Sequence, residues 1–328
     1  MTQMMKAAIY QNYGGPEVVQ VTDVAKPAPK PDQVLIRVHA TTVSTADWRA
    51  RSLAMPAGFA LFGRPAFGLF GPRQKILGSD FSGEIEAVGG QVTTFKPGDE
   101  VFGSTGMKLG AHAEYLTVKA NGLIAPKPAN LTFEQAAAIP FGGMTALDFL
   151  KYKANLATGE QVLILSASGC VGSAAVQIAK YYGAKVTGIT GTANVDRVRD
   201  LGADWVIDYK QQNFHQGSDR YDIILDTTGT IAYRDVAHLL NPNGRVLLLL
   251  ASLWQNLGLG RPPKGSRHTA IKGIAKERPE DIATLGAMAS EGRLTPLIDS
   301  TYAFDDIAKA HARVETGHKV GSVVVSLL

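Results

Sequence analysis

The sequence predicts an α/β protein in which a doubly wound parallel sheet is joined to a second, β-rich, barrel-like domain. Three stretches carry this prediction. From Val162 an apolar run ends in small residues and passes into a segment where Val171, Ala174, Ala175, Ile178 and Ala179 recur at helical spacing, and residues 185–189 follow as a second apolar strand. From Trp205 to Leu250 strand-like and helix-like segments keep alternating, the pattern of a parallel sheet with crossover helices. Residues 6–121 hold instead short β-branched runs separated by glycine, proline and aspartate. At 328 residues the chain exceeds what one hydrophobic core usually serves, which agrees with two domains.

In chain order, KAAIY at 6–10, VVQVTDV at 18–24, QVLIRVHATTV at 33–43, SGEIEAVG at 82–89, DEVFGS at 99–104 and AEYLTV at 113–118 read as strands. STADWRARS at 44–52 reads as a short helix entered through an N-cap. Residues 57–71, AGFALFGRPAFGLFG, show no clean period and read as a loop, either tucked under the barrel or forming an apolar wall for a hydrophobic substrate. Residues 126–132 form a crossover linker, and 133–153 two helical pieces interrupted by Pro140, Gly142 and Gly143. After the second strand come a helix over 194–201, a strand over 205–209, a strand over 222–226, a helix over 231–240 and a strand over 245–250. TAIKGIA gives a further strand signal, helices are expected near 279–291 and 305–316, and VGSVVVSLL closes the chain as a strand that rejoins one of the domains.

Bulk properties exclude several function classes. The 33 Lys and Arg exceed the 29 Asp and Glu only slightly and are dispersed, so no nucleic-acid partner is implied. Cys170 is the single cysteine, which excludes an intrachain disulfide framework and any zinc site built from several thiolates, and fits a reducing compartment. The amino terminus lacks an apolar core of signal-peptide length, and the longest apolar run, 246–253, is far shorter than the roughly 20 residues that span a bilayer. A cytoplasmic protein with no membrane partner is expected.

The stretch 162–172, VLILSASGCVG, is where chemistry enters. A strand, a tight turn of small residues and a helix form a dinucleotide cradle, because a pyrophosphate must approach the backbone N–H groups at the positive helix end and a sizeable Cβ would obstruct it. Ser166, Ala167, Ser168, Gly169, Cys170, Val171 and Gly172 are therefore candidate cofactor residues. Cys170 either points away from the pyrophosphate or narrows the site, and a packed, inert thiol is preferred to a reactive one. An NAD-selective enzyme normally ends its second strand with an acid for the ribose hydroxyls. Here that end reads GITGTANVDR, where Thr190, Thr192 and Asn194 can donate to a 2′-phosphate and Arg197 can add charge, so NADPH is expected, with NADH as the alternative. Thr227 and Leu250, Ala251 and Ser252 fall at the carboxyl ends of later strands, where open α/β sheets bind ligands.

ILGSDFSGEIEAVG at 76–89, PGDEVFG at 97–103, GAHAEYLTV at 110–118, GADWVIDY at 202–209 and GHKVGSVVV at 317–325 together resemble recurrent segments of the medium-chain dehydrogenase/reductase superfamily, and within it the zinc-free quinone oxidoreductases. The resemblance covers nearly the whole chain. It implies a GroES-like catalytic domain over 1–122 and 277–328, a Rossmann dinucleotide-binding domain over 123–276, and a homodimer. It also implies that Thr145, in GGMTALDFL, lies beside the nicotinamide, and that Tyr209 lies near a 2′-phosphate.

Where zinc-dependent relatives carry a cysteine and the histidine of a GHE segment, this chain has Ser44 and Ser79, and its histidines show no H-x-x-x-H spacing. Hydroxyls are poor zinc ligands, so no metal is expected. Without a Lewis acid the favoured acceptor is a quinone or an α,β-unsaturated carbonyl, which takes hydride at a conjugated carbon while charge moves to oxygen. Ser44, where relatives often carry asparagine, and Asp47 are the candidate catalytic donors with Thr145. The competing reading has Asp47 satisfying backbone groups at the start of the helix and Trp48 in the core. The expected activity is zinc-independent, NADPH-dependent hydride transfer to a hydrophobic small molecule. The alternatives are a metal-free alcohol or aldehyde oxidoreductase and an NADPH-binding sensor without turnover.

Overall fold

The computed structural model describes residues 3–55, 58–258 and 260–327. An antiparallel pair, β1 (Met4–Ile9) and β2 (Gln20–Ala25), opens the chain. There follow β3 (Gln33–Val43), α1 (Thr45–Ser52), α2 (Ala60–Phe67), β4 (Asp80–Val88), β5 (Glu100–Ser104), β6 (Tyr115–Lys119) and β7 (Ile124–Pro126). Helices α3 (Phe133–Ala137) and α4 (Pro140–Leu147) lead to β8 (Gln161–Leu165), α5 (Cys170–Tyr181), β9 (Lys185–Thr190), α6 (Val195–Asp200) and β10 (Trp205–Asp208). Then come β11 (Tyr221–Asp226), α7 (Tyr233–Val236), β12 (Leu240–Leu248), α8 (Leu253–Asn256) and β13 (Thr269–Lys272). The chain closes with α9 (Pro279–Ser290), β14 (Ile298–Ala303), α10 (Ile307–Glu315) and β15 (Ser322–Ser326).

Two large sheets organise these elements. The six-stranded sheet is parallel in the order β10-β9-β8-β11-β12-β13. The order in which strands are added reverses between β8 and β11, which opens a crevice at their carboxyl ends. Val162, Leu163, Ile164 and Leu165 of β8 are all buried because helices cover both faces, which is why this strand reads as an unbroken apolar run. The second sheet runs β14-β15-β3-β4-β5-β7, with β6 also on β3. The closing strand β15 pairs antiparallel with β3, so the carboxyl end of the chain rejoins the barrel. Because β7 pairs with β5, this sheet extends past residue 122.

Several expectations need correction. The supposed loop over 57–71 contains helix α2, whose period is hidden by Gly63 and Pro65 within it and which ends at Gly68 with φ 138°. The Tyr13 hydroxyl donates to the Gly68 carbonyl at 2.9 Å, whereas Leu69 and Phe70 beyond it are exposed and not tucked under the barrel; Ala57 lies outside the described residues. Gly142 and Gly143 do not interrupt a helix but sit inside α4. A Cβ on Gly142 would come within 2.6 Å of the Cys170 carbonyl oxygen, and one on Gly143 within 2.9 Å of Leu285, so both glycines allow close helix packing. The helix expected over 231–240 is α7 continued by a 3-10 turn over Ala237–Leu239, whereas the strand expected over 245–250 starts already at Leu240 and ends at Leu248, which leaves Leu250 in the loop that follows.

Candidate active site

The predicted cofactor residues converge at the carboxyl ends of the parallel strands. β8 ends at Leu165, and Ser166 turns the chain with φ 56°, a left-handed conformation for a residue with a side chain. Ala167 N–H donates to the Ile189 carbonyl, and Gly169 is the N-cap of α5 without any side-chain cap. The first-turn N–H groups from Cys170, Val171 and Gly172 are thus left to a ligand at the positive end of a twelve-residue helix. A Cβ on Gly172 would lie 2.0 Å from the Ser166 carbonyl oxygen, so only glycine allows this turn to close on the helix. This cradle fits a pyrophosphate.

Around it, the Thr190 hydroxyl donates to the Ser168 hydroxyl at 2.8 Å, and the Ser168 carbonyl accepts from Gly321 N–H at 2.8 Å, which ties the closing segment of the barrel to the turn. Thr192 and Asn194 form a single 3-10 turn after β9, and Arg197 is exposed on α6. Tyr209, just past β10, is exposed, and its hydroxyl stands 3.3 Å from where a Cβ on Gly191 would be. It opens a cleft of about 430 Å³ lined also by Lys210, Phe214 and His215. The Thr227 hydroxyl donates to the Leu165 carbonyl at 3.0 Å; Leu250 is half-buried, Ala251 is buried, and Ser252 caps α8 by accepting from Gln255 N–H. The Cys170 sulfur lies 3.2 Å from the Ser322 hydroxyl.

The loop carrying Thr227 depends on a residue the sequence reading passed over. Asp226 is fully buried, and its carboxylate accepts from the N–H groups of Thr228, Gly229 and Ile231 and from the Thr228 hydroxyl. An aspartate at a strand end followed by TTGT was the available signal.

On the barrel side, Ser44 and Asp47 form a capping box at the start of α1. The Asp47 carboxylate accepts from Ser44 N–H at 2.8 Å, from the Ser44 hydroxyl at 2.6 Å and from Gly78 N–H at 2.8 Å. Asp47 therefore satisfies backbone groups and fixes the Gly78 turn against α1, and Trp48 packs at the edge of the core. That turn leads to Asp80, a second residue the sequence reading missed. Its carboxyl is buried, accepts from Phe141 N–H at 3.1 Å and from the hydroxyls of Ser79 and Thr42, and burial pushes it up to about 7 against the Phe141 bond. Phe141 lies in the first turn of α4, and its carbonyl accepts from the half-buried Thr145 hydroxyl at 2.7 Å. A chain of direct contacts thus joins the start of α1, the Gly78–Asp80 turn and the helix that carries Thr145. Among the described residues no three His, Cys, Asp or Glu side chains converge as a metal group would require.

With this geometry in place, relatives can be compared. Residues 30–129 match the alcohol dehydrogenase GroES-like domain, and residues 201–325 match the zinc-binding dehydrogenase family. Human quinone oxidoreductase is 32% identical over 340 residues, covering 99% of this chain and 98% of its own. The chain belongs to the quinone oxidoreductase family of the medium-chain dehydrogenase/reductase superfamily. An NADPH-dependent alkenal/one oxidoreductase of Arabidopsis thaliana is 31% identical, over 98% of this chain and 79% of its own. The solved quinone oxidoreductase of Coxiella burnetii superposes with a TM-score of 0.86 at 28% identity, over 99% of this chain and 100% of that one. The quinone oxidoreductase family is one of nicotinamide-dinucleotide-dependent oxidoreductases, which agrees with the cradle at α5. No helix among the described residues is long and apolar enough to cross a membrane.

Proposed function

We propose that this protein is a zinc-independent, NADPH-dependent reductase of quinones and α,β-unsaturated carbonyls. The observation that carries the reading is the turn from Ser166 to Gly172, where an uncapped helix start and a glycine with no room for a Cβ leave backbone N–H groups for a pyrophosphate. The names of relatives that act on quinones and alkenals support the acceptor class. Thr192, Asn194 and Tyr209 would hold the 2′-phosphate, with Lys210 in the adjoining cleft as a cation that the sequence reading did not consider. NADPH, when bound, supplies the hydride. The contribution of the chain is chiefly to hold the two reactants together, with Thr145 beside the nicotinamide and Ser44 and Asp47 fixing α1 at the edge of the acceptor site.

Zinc independence is supported by the way the two candidate hydroxyls are used: that of Ser44 donates to Asp47 and that of Ser79 to Asp80. Division into 1–122 with 277–328 and 123–276 follows the two sheets apart from β7. A homodimer would cover the free edge at β13 and the exposed Trp254, Leu257 and Ile274 that flank it in sequence. We place the protein in the cytoplasm. The reading is tested by incubating the protein with NADPH and an enone and identifying the product. The saturated ketone is expected; an allylic alcohol would overturn the assignment.

A further inference from the structure

The two oxygens of the Asp80 carboxyl are used unequally. Oδ2 accepts from Phe141 N–H at 3.1 Å and from the Thr42 hydroxyl at 3.3 Å, which fills its lone-pair positions, whereas among the described residues Oδ1 meets only the Ser79 hydroxyl, at 3.1 Å. A proton on this carboxyl therefore belongs on Oδ1, facing Ser79 Oγ. The serine oxygen then accepts, and its own O–H is released to donate elsewhere. Asp80 has no ion pair among the described residues. Burial above all, then Asp47 from the start of α1 and Glu277 from the segment before α9, oppose a charge on it and bring it to about 7 against the Phe141 and Ser79 bonds. His112, whose Nε2 lies 3.0 Å from the Thr42 carbonyl, supplies no compensating cation, because burial holds it below the ordinary histidine value. At neutral pH both forms of Asp80 are populated.

Direct contacts place this pair beside the cofactor cradle. Phe141, whose N–H reaches Asp80, is followed by Gly142, which lies against the Cys170 carbonyl at the start of α5, and the Phe141 carbonyl accepts from the Thr145 hydroxyl at 2.7 Å. On the other flank Asp47 accepts from Gly78 N–H at 2.8 Å, and the Ser79 carbonyl accepts from Thr105 N–H at 2.7 Å, so the backbone of the turn is fixed from both sides. Ser79 keeps 9% of its surface accessible against 1% for Asp80, which makes the serine the member of the pair that a ligand can touch. A hydroxyl standing in front of a buried acid has the arrangement of a proton relay.

We propose that the Ser79 hydroxyl gives its proton to the oxygen of the acceptor and is resupplied from Asp80 Oδ1, an assignment that rests on the quinone or enone reading above. With an enone, hydride adds to the β-carbon, the π pair moves onto the carbonyl oxygen, and that oxygen takes the Ser79 proton as Ser79 Oγ takes the Asp80 proton. The product leaves as the enol, which becomes the saturated ketone in solvent. Asp80 is left as a carboxylate held by Phe141 N–H and the hydroxyls of Thr42 and Ser79, and solvent returns its proton before the next cycle. Above the pH at which Asp80 ionises, the carboxylate reclaims the Ser79 O–H and the relay is empty.

Cyclohexanone bound with NADP⁺ tests the contact without turnover, since its infrared C=O stretch moves to lower frequency when the oxygen accepts a hydrogen bond. In wild type that shift is expected at low pH and is lost as pH rises through about 7. Ser79→Ala removes it, Ser79→Thr keeps it, and Asp80→Asn keeps it at every pH because the amide donates to Ser79 Oγ in place of the acid. In turnover of 2-cyclohexenone, wild-type kcat falls as pH rises through about 7. At about pH 6, S79A and D80N are slower by about 10²-fold or more and lack that fall, S79T recovers, and NADPH affinity is unchanged in all three. A carbonyl band equal in wild type and S79A, a wild-type shift independent of pH, or no ketone binding overturns the proposal. Enone reduction by S79A at the wild-type rate keeps the proposed function and overturns the relay. A Ser79-dependent, pH-sensitive shift in a protein that reduces neither quinone nor enone keeps the contact and loses the proposed function. Should D80N fail to fold, the comparison of S79A with S79T decides.

Discussion

The turn at Ser166–Gly172 and the turn at Gly78–Asp80 are held in shape by opposite materials. The first uses backbone N–H groups, a left-handed serine and a glycine with no room for a Cβ, and its hydroxyls satisfy one another through Thr190 and Ser168. The second uses buried charge: Asp47 with three hydrogen bonds and Asp80 held partly neutral by burial. A backbone cradle is indifferent to many side chains and intolerant of bulk, whereas a charged site tolerates bulk and is sensitive to the loss of one oxygen or nitrogen.

Gly172→Ala should break the first region most severely. Its Cβ would overlap the Ser166 carbonyl, so NADPH affinity is expected to fall by about 100-fold, roughly 2.7 kcal/mol, in a fluorescence titration. Unchanged affinity would show that the cradle is not the pyrophosphate site. Asp47→Ala should lower unfolding stability by about 3 kcal/mol in urea, since it frees Ser44 and Gly78 N–H groups at buried positions. A loss below about 0.5 kcal/mol would mean that the capping box does not hold α1.

The charged region should also leave a mark on the pH dependence of stability. His112 and His311 lie edge to face with ring centres 5.4 Å apart, and burial holds both below the ordinary 6.5, His311 well below it. The unfolded chain therefore takes up protons first, and stability falls as pH drops from 6.5 towards their lowered folded values. His311→Leu should flatten that fall in urea unfolding measured between pH 7 and 5 (roughly the window set by the shift). Asp80 acts the other way: its folded value, about 7, lies above the ordinary 3.8, so its contribution is complete below 3.8 and is lost as pH rises through about 7. Asp80→Asn should abolish this loss, and an unaltered profile would show that the carboxyl is ionised in the fold. The smallest effect is expected at the cleft beside Tyr209, where Lys210→Ala should reduce the preference for NADPH over NADH by about tenfold or less, about 1.4 kcal/mol. An unchanged ratio of kcat/KM for the two cofactors would remove Lys210 from the 2′-phosphate site.

The two regions also differ in how legible they were. The cofactor turn could be read because its parts are contiguous: strand, small residues and helical period follow one another between Gln161 and Tyr181. The strand–helix alternation after it was legible for the same reason, although β12 begins at Leu240 and ends at Leu248 where 245–250 was expected, as the local period fades near an element's end. What escaped was non-local. Gly142 reads as a helix breaker until Cys170 of a different helix is found against it. Asp80 reads as a strand residue until Phe141 donates to its carboxylate from 61 positions away.

Steady-state oxidation of NADPH and of NADH, each with a small quinone, an enone and an aldehyde, in the presence and absence of a zinc chelator, tests the central claim most directly. Faster turnover with NADPH on the quinone or enone, unaffected by the chelator, is the predicted result. Aldehyde reduction that the chelator abolishes, or tight NADPH binding with no turnover on any acceptor, would contradict it.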